Sequence, residues 1–245
     1  IAQRPFRSPH HTISAVGLVG GGRIPRPGEV SLAHHGVLFL DEIPEFPRQT
    51  LDVLRQPIED GFASISRLNA SVTYPCSFML VAAANPCKCG YYGDPTKHCT
   101  CSQKDAENYL SRLSGPLMDR IDIHIQVPSL TYKEIDGTEA AESSGEIKKR
   151  VNAARKLQQE RYKSYGIFCN AHLKGPMIRE FCRLDSEGRR ILRAAFDKLG
   201  LSVRAYDRIL KVARTVADLD GEELIHSKHI AEAIQYRSLD RIVRV

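Results

Sequence analysis

The stretch Gly36-Val37-Leu38-Phe39-Leu40-Asp41-Glu42 decides how the rest of the chain reads. Four apolar residues run without interruption into two adjacent carboxylates. A short unbroken apolar run suits a strand buried on both faces of a parallel sheet. Acids at its C-terminal end would lie where open α/β sheets bind their ligands. One acid can hold Mg2+ through water, and the next can polarise an attacking water. The same residues also describe an ordinary core strand ending in solvated acids, so the surroundings have to decide.

Downstream, Phe78–Ala84 is a second continuous apolar run, and it ends at Asn85. It predicts a second buried parallel strand. Asn85 reads either as a turn former or as a group that hydrogen-bonds a γ-phosphate or orients water beside Asp41-Glu42. Between the two runs, Leu51, Leu54 and Ile58 recur at helical spacing over Arg48–Glu59, with Gly61 as the stop. Ala63–Arg67 and Ser71–Tyr74 alternate around Asn69 and predict a hairpin.

Upstream, residues 1–35 carry Arg4, Arg7, Arg23 and Arg26 against the single acid Glu29. Gly20-Gly21-Gly22, Pro25 and Pro27 exclude one long helix. The expectation is a loop and a hairpin, with Ile13–Val19 and Gly28–Leu32 as its arms. The arginines are candidate contacts for a polyanion such as DNA, because clustered Arg neutralises phosphates and releases counterions. A solvated basic surface is the alternative.

Cys87-Lys88-Cys89-Gly90 and Cys99-Thr100-Cys101 bring four thiols into one short segment. Four thiolates suit tetrahedral Zn2+, although one-residue spacing within each pair is tighter than usual. His98 is a substitute ligand, and free thiols or a redox pair are the other readings. Next, Tyr109–Leu113 reads as helical. Ser114–Asp122 leads into an alternating run, Ile121–Ile125, which predicts a strand closed by Pro128. Arg120 precedes that strand, and its ordinary role would be an ion pair with Asp119 or Asp122.

Thr131–Ser144 is polar and acidic and reads as a linker. Beyond it the spacing predicts helices over Ile147–Tyr162, Met177–Cys182, Ser186–Leu199, Arg204–Leu219 and Ser227–Tyr236. Ser202 is the expected N-cap of the fourth. In that helix Ile209, Leu210, Val212, Ala213, Val216 and Ala217 should pack, leaving Arg204, Arg208, Lys211 and Arg214 on a polar face. The expected organisation is an α/β domain over residues 1–130, a linker over 131–145 and an all-helical domain over 146–245.

At 245 residues the chain is long enough to bury a sizeable core. The net charge of +6, from 35 basic and 29 acidic residues, is mildly basic. There is no apolar run of membrane-spanning length and no signal peptide at the start, so the expectation is a cytoplasmic chain without a membrane partner. Seven cysteines without a secretory signal fit a reduced compartment better than a disulfide scaffold. Ile1 and Arg4-Pro5-Phe6-Arg7 read as the middle of something longer.

Together these stretches resemble the magnesium-chelatase-like AAA+ ATPases of the YifB/ComM type. The resemblance is carried by Arg4–Thr12, Pro27–Glu42, Ala82–Gly90, Gly115–Asp122 and Val203–Thr215, in family order. It implies a partial AAA+ P-loop NTPase core, a parallel sheet with helices and inserted β-hairpins, followed by a small all-helical lid. It makes Asp41 and Glu42 the Walker B pair, Asp41 for Mg2+ and Glu42 for water. Asn85 becomes sensor 1, Arg120 an arginine finger for a neighbouring subunit's nucleotide, and Arg204 sensor 2. The cofactors implied are ATP and Mg2+ for the full-length protein; structural Zn2+ on the cysteines rests on their thiols, not on the resemblance. The partners implied are DNA and further copies of the chain in a hexameric ring, as in a branch-migration helicase of natural transformation. A chelatase subunit driving metal insertion, or a non-hydrolysing scaffold, are the alternatives. One departure is plain: no Gly-x-x-x-x-Gly-Lys-Ser/Thr occurs in these 245 residues. In the family that loop lies upstream, and it provides most of the triphosphate cradle. The expectation is that this polypeptide alone has little or no ATPase activity.

Overall fold

The structure, a computed structural model, describes residues 3–67, 70–129, 136 and 142–237. The chain forms two compact units, dividing between Ile121 and Asp122. The first is α/β and the second is helical. Most of the expected linker, and Asn69 of the expected hairpin turn, lie outside the described residues.

The first unit is built on a three-stranded parallel sheet. Its strands are β1 (Phe6–Arg7), β4 (Val37–Leu40) and β7 (Met79–Ala82), with β4 in the centre. Val37 pairs with both Phe6 and Met79, and Leu40 pairs with Ala82. The strand expected at Val37–Leu40 is present, but burial alternates along it. Leu38 and Leu40 are fully buried against Leu51, Leu54 and Leu117, while Val37 and Phe39 lie half-buried on the other face. The second expected strand is present too, yet Met79 is 65% exposed and Val81 39%. Neither strand is buried on both faces. Among the described residues the helices cover one side of the sheet, so period-two burial replaces continuous burial.

Gly36 lets the strands start. A Cβ there would lie 1.9 Å from the carbonyl oxygen of Pro5. That close approach allows the Val37 N–H to donate to Pro5 O at 2.9 Å and open the β1–β4 ladder. Any side chain would force the strands apart.

Two hairpins flank the sheet. The N-terminal one is not the pair of arms expected from sequence. Ser14 accepts from the Gly17 N–H at 3.1 Å and caps a helical turn, α1 (Ala15–Val19). The second expected arm is also helical, α2 (Glu29–Leu32). The hairpin is confined to β2 (Gly20–Gly21) and β3 (Arg26–Pro27). A Cβ on Gly28 would come within 2.4 Å of Gly20 N, so only glycine permits so short a closure. The second hairpin, β5 (Phe62–Arg67) with β6 (Ala70–Pro75), follows the expected alternation. The Tyr74 hydroxyl donates to Pro25 O at 3.0 Å and ties the two hairpins together.

The helix expected over Arg48–Glu59 is broken into α3 (Arg48–Asp52) and α4 (Arg55–Asp60). Pro57 explains the break, because its ring excludes the carbonyl of residue 53 from a continuous helix. Gly61 caps α4 in the left-handed region, φ 75°. Two further helices complete the unit, α5 (Gln103–Leu110), whose N-terminus is a Ser102–Asp105 capping box, and α6 (Gly115–Met118). The expected Ile121–Ile125 strand does not form. That segment joins no strand ladder among the described residues, its His124 N–H donating instead to Tyr236 O at 2.7 Å, and Ile125 and Val127 are 65% and 83% exposed.

The second unit contains α7 (Ser144–Arg161), α8 (Pro176–Phe181), α9 (Ser186–Leu199), α10 (Val203–Leu219) and α11 (Ser227–Gln235). Ser202 caps α10 as expected, accepting from Ala205 N at 3.1 Å. α9, α10 and α11 pack on one another around Leu192, Ile209, Ala213 and Ile230, all buried. One expectation fails here: Arg214 is not on the polar face. It is 1% exposed and pairs with Asp218, which is 0% exposed. No helix among the described residues is long and apolar enough to cross a membrane.

Candidate functional site

Parallel pairing determines what meets at the sheet's C-terminal edge. β4 runs out into Asp41-Glu42, and β7 beside it runs out through Ala83-Ala84 to Asn85. The ladder continues past the strands: the Ala83 N–H donates to Leu40 O at 3.0 Å, and the Ile43 N–H to Ala83 O at 2.9 Å. Asp41 and Glu42 are bracketed by those two bonds. Both carboxylates and Asn85 are exposed at this edge.

Glu42 has φ 49°, a left-handed backbone that a non-glycine residue adopts at a cost of about 1 kcal/mol or more. Its own N–H donates to Asp41 Oδ1 at 2.9 Å, which stabilises the turn. A short helical turn at Ile43–Glu45 follows, seated by the buried Ile43 and Phe46. Glu45 accepts from Arg112, which also donates to Pro44 O at 3.1 Å. Burial, together with the carboxylates of Glu45 and Glu42, pushes the Tyr109 hydroxyl up to about 12. Asp41, Glu42 and Glu45 thus follow one another at the end of β4, with Glu45 tied to Arg112.

One neighbour was not visible from sequence. His11 Nδ1 lies 3.8 Å from Glu42 Oε2, and its ring packs edge-on against Phe46. The two are 31 positions apart, and they meet because β1 delivers the chain alongside β4. Nothing in local spacing signals that contact.

Arg120 sits just after α6 with its side chain 12% exposed. It donates to Pro116 O at 2.7 Å and forms an ion pair with Glu59, rather than with Asp119 or Asp122. Arg204 belongs to the second unit, exposed in the first turn of α10. A cation there opposes the helix dipole, which favours anions at that end.

The basic N-terminal residues separate into two kinds. Arg7 is bound on both arms by Glu29, at 2.6 and 2.8 Å, and that pairing raises its pKa. Arg4, Arg23 and Arg26 are exposed, the last two on the β2–β3 hairpin.

The four cysteine sulfurs of Cys87, Cys89, Cys99 and Cys101 all lie within 4.8 Å of one another. Cys87 is fully buried and the other three are half-buried. Backbone N–H groups of Tyr91 and Thr100 donate to Cys89 and pull its pKa down to about 5. His98 is exposed and stands outside the cluster.

Comparison with known proteins places these features in a family. Residues 1–135 match the family model described as magnesium chelatase, subunit ChlI, and residues 141–237 match its C-terminal companion. YifB of Escherichia coli, an uncharacterized protein, is 49% identical over 242 residues, which is 98% of this chain and 47% of the relative. Competence protein ComM of Haemophilus influenzae is 48% identical over 243 residues, 99% of this chain and again 47% of the relative. A magnesium-chelatase subunit ChlI from Euglena gracilis is 24% identical over 156 residues, covering 56% of this chain and 38% of its own. The chain thus spans about half the length of its YifB and ComM relatives. On the family models, the near-complete alignment to YifB and ComM, and an α/β core followed by a helical unit, the chain belongs to the magnesium-chelatase-like AAA+ family of YifB/ComM type.

Proposed function

We propose that this chain supplies the hydrolytic half of an ATP site in a ring-forming AAA+ motor that remodels or translocates DNA. The observation that carries the reading is the parallel β4–β7 pair, which sets Asp41-Glu42 beside the run to Asn85. Asp41 would hold Mg2+ through water, Glu42 would polarise the attacking water, and Asn85 would orient it or the γ-phosphate. Mg2+ would suit the carboxylate oxygens at this edge, and bound there it would neutralise charge on the phosphates. The helical unit would act as the lid, with Arg204 as its phosphate contact. Arg120 would exchange Glu59 for the nucleotide of a neighbouring copy, a substitution of one anion for another.

His11 is read as a positioning residue for Glu42. Replacing it with Ala in the full-length protein should lower kcat about two- to fivefold, the worth of one partly exposed ion pair at 3.8 Å, at unchanged KM. His11→Lys, which keeps a cation beside Glu42, should recover part of the loss. Equal kcat in all three proteins would remove His11 from this role.

DNA as the substrate is supported by the exposed Arg4, Arg23 and Arg26 and by the competence protein among the relatives. The test is DNA affinity of the full-length protein across a salt series. Affinity should fall steeply with salt, and DNA should stimulate ATP turnover. Arg23→Ala with Arg26→Ala should flatten the log–log salt slope by about 2, since each lost phosphate contact removes about 0.9. No DNA binding, together with ATP-dependent metal insertion into a tetrapyrrole, would replace this reading with the chelatase one.

A further inference from the structure

We infer that Cys87, Cys89, Cys99 and Cys101 hold one structural Zn2+ that staples the exit of β7 to the start of α5. The first argument is metric. A tetrahedral tetrathiolate with Zn–S of about 2.3 Å has sulfur–sulfur edges of about 3.8 Å. Three of the six edges here are 3.3 Å for Cys87–Cys89, 3.5 Å for Cys89–Cys99 and 3.7 Å for Cys87–Cys99, and the Cys101 sulfur lies within 4.8 Å of all three. A disulfide needs about 2.0 Å and joins only two sulfurs. Iron–sulfur cubanes and two-iron clusters hold their thiolates on different metal atoms, which spreads them farther apart than the 4.8 Å limit of this set.

The second argument is chemical. Four thiolates with no fifth donor make a closed site, which is the structural kind, since a catalytic zinc keeps a position open for water. Gly90 turns at φ 84°, with its N–H on Cys87 O at 3.0 Å, and this reverses the chain between the first pair and the rest.

The third argument is what the segment lacks. Between Cys87 and Cys101 there is neither helix nor strand, only turns. Apart from Cys87 its residues are partly or fully exposed. A segment that buries so little apolar surface cannot offset its ordering entropy without a cross-link. Its two ends are the functional part. Cys87 follows Asn85 by two residues, and Cys101 immediately precedes the Ser102 cap of α5, whose Tyr109 abuts the acidic edge. The metal therefore fixes the exit of β7 and the position of α5 at once. Only the last link, to Asn85 as a nucleotide contact, rests on the ATPase reading.

The experiment begins with the chain purified without chelator from zinc-replete medium. Metal analysis should find about one Zn per chain, and replacement by Co2+ should give the intense visible bands of tetrahedral thiolate coordination. Cys99→Ser with Cys101→Ser should lose the metal, while Cys169→Ser in the helical unit should keep it. Stripping the zinc should remove hydrogen-exchange protection over residues 87–110 and leave residues 186–235 unchanged. Metal-free protein, iron in place of zinc, or weak octahedral Co2+ bands would each overturn the site. Zinc present with unchanged exchange would overturn the staple. None of these measurements involves nucleotide, so a failure of the ATPase reading would leave them standing and distinct.

Discussion

Replacing Glu42 with Gln in the full-length protein should lower the single-turnover rate of ATP hydrolysis by about 10²- to 10⁴-fold, with ATP binding held within a few-fold. Gln keeps the length of the side chain and its hydrogen-bonding reach. What it loses is the negative charge that polarises water and accepts its proton, a contribution of that size in general-base catalysis. The same factor corresponds to about 3–5 kcal/mol of barrier. Binding should survive because Mg2+ is assigned to Asp41, and because Glu42 points from a strained turn whose N–H is satisfied by Asp41, not by its own carboxylate. Asp41→Ala should behave differently. It removes both the metal contact and the acceptor for the Glu42 N–H, so binding and turnover should fall together. If Glu42→Gln hydrolyses ATP at the native rate, the water-activating group lies elsewhere.

Replacing Asp218 with Ala should destabilise the helical unit by about 3–5 kcal/mol, read as a lower urea midpoint for the loss of helical signal. Asp218 is fully buried and accepts from Arg161 at 2.5 and 3.0 Å, Arg214 Nε at 3.1 Å and Asn170 Nδ2 at 2.8 Å. Arg214 is buried as well and donates to the carbonyls of Glu222 and Glu223 at 2.5 Å each. Burial lowers the Arg214 pKa, and the nearby Asp218 opposes that shift. Deleting the carboxylate strands that guanidinium and a half-buried one, and an uncompensated buried charge is among the costliest single changes. The exposed Arg190–Glu187 pair is the control. At 75% and 49% side-chain exposure it is screened by water, so Glu187→Ala should leave the midpoint where it was. Equal shifts for the two variants would show that the Asp218 network is not what holds the unit together.

The two networks differ in how far sequence could reveal them. Asp41-Glu42 and Asn85 were readable because each ends a short apolar run, and strand ends in a parallel sheet share one edge. Ser202, Gly61 and the Phe62–Pro75 hairpin were readable because caps, stops and alternation are local rules. The arms expected around Gly20–Gly22 were wrong for a local reason too. Ser14 captures the Gly17 N–H, and a helical turn wins over extension where few side chains favour either. The Ile121–Ile125 alternation failed for the opposite reason. Period two describes a strand only if a ladder partner is present.

By itself the sequence determined the two central strands, the Phe62–Pro75 hairpin, the acids and Asn at the strand tips, the clustering of four cysteines and the helical character of the second unit. Those depend on periodicity and on residue types that carry their chemistry with them. Only the tertiary structure decided that among the described residues the helices cover one face of the sheet, that His11 comes near Glu42, that Arg7 is bound to Glu29 while Arg23 and Arg26 stay exposed, and that Arg214 lies inside with Asp218. Each of these is a contact between residues, or a cover over them, that the neighbours in sequence do not encode. The pair Asp41-Glu42 shows both halves of the lesson. Its chemistry is written in two letters, but the strained turn that aims it, and the histidine beside it, exist only once β1 and β7 close on either side of β4.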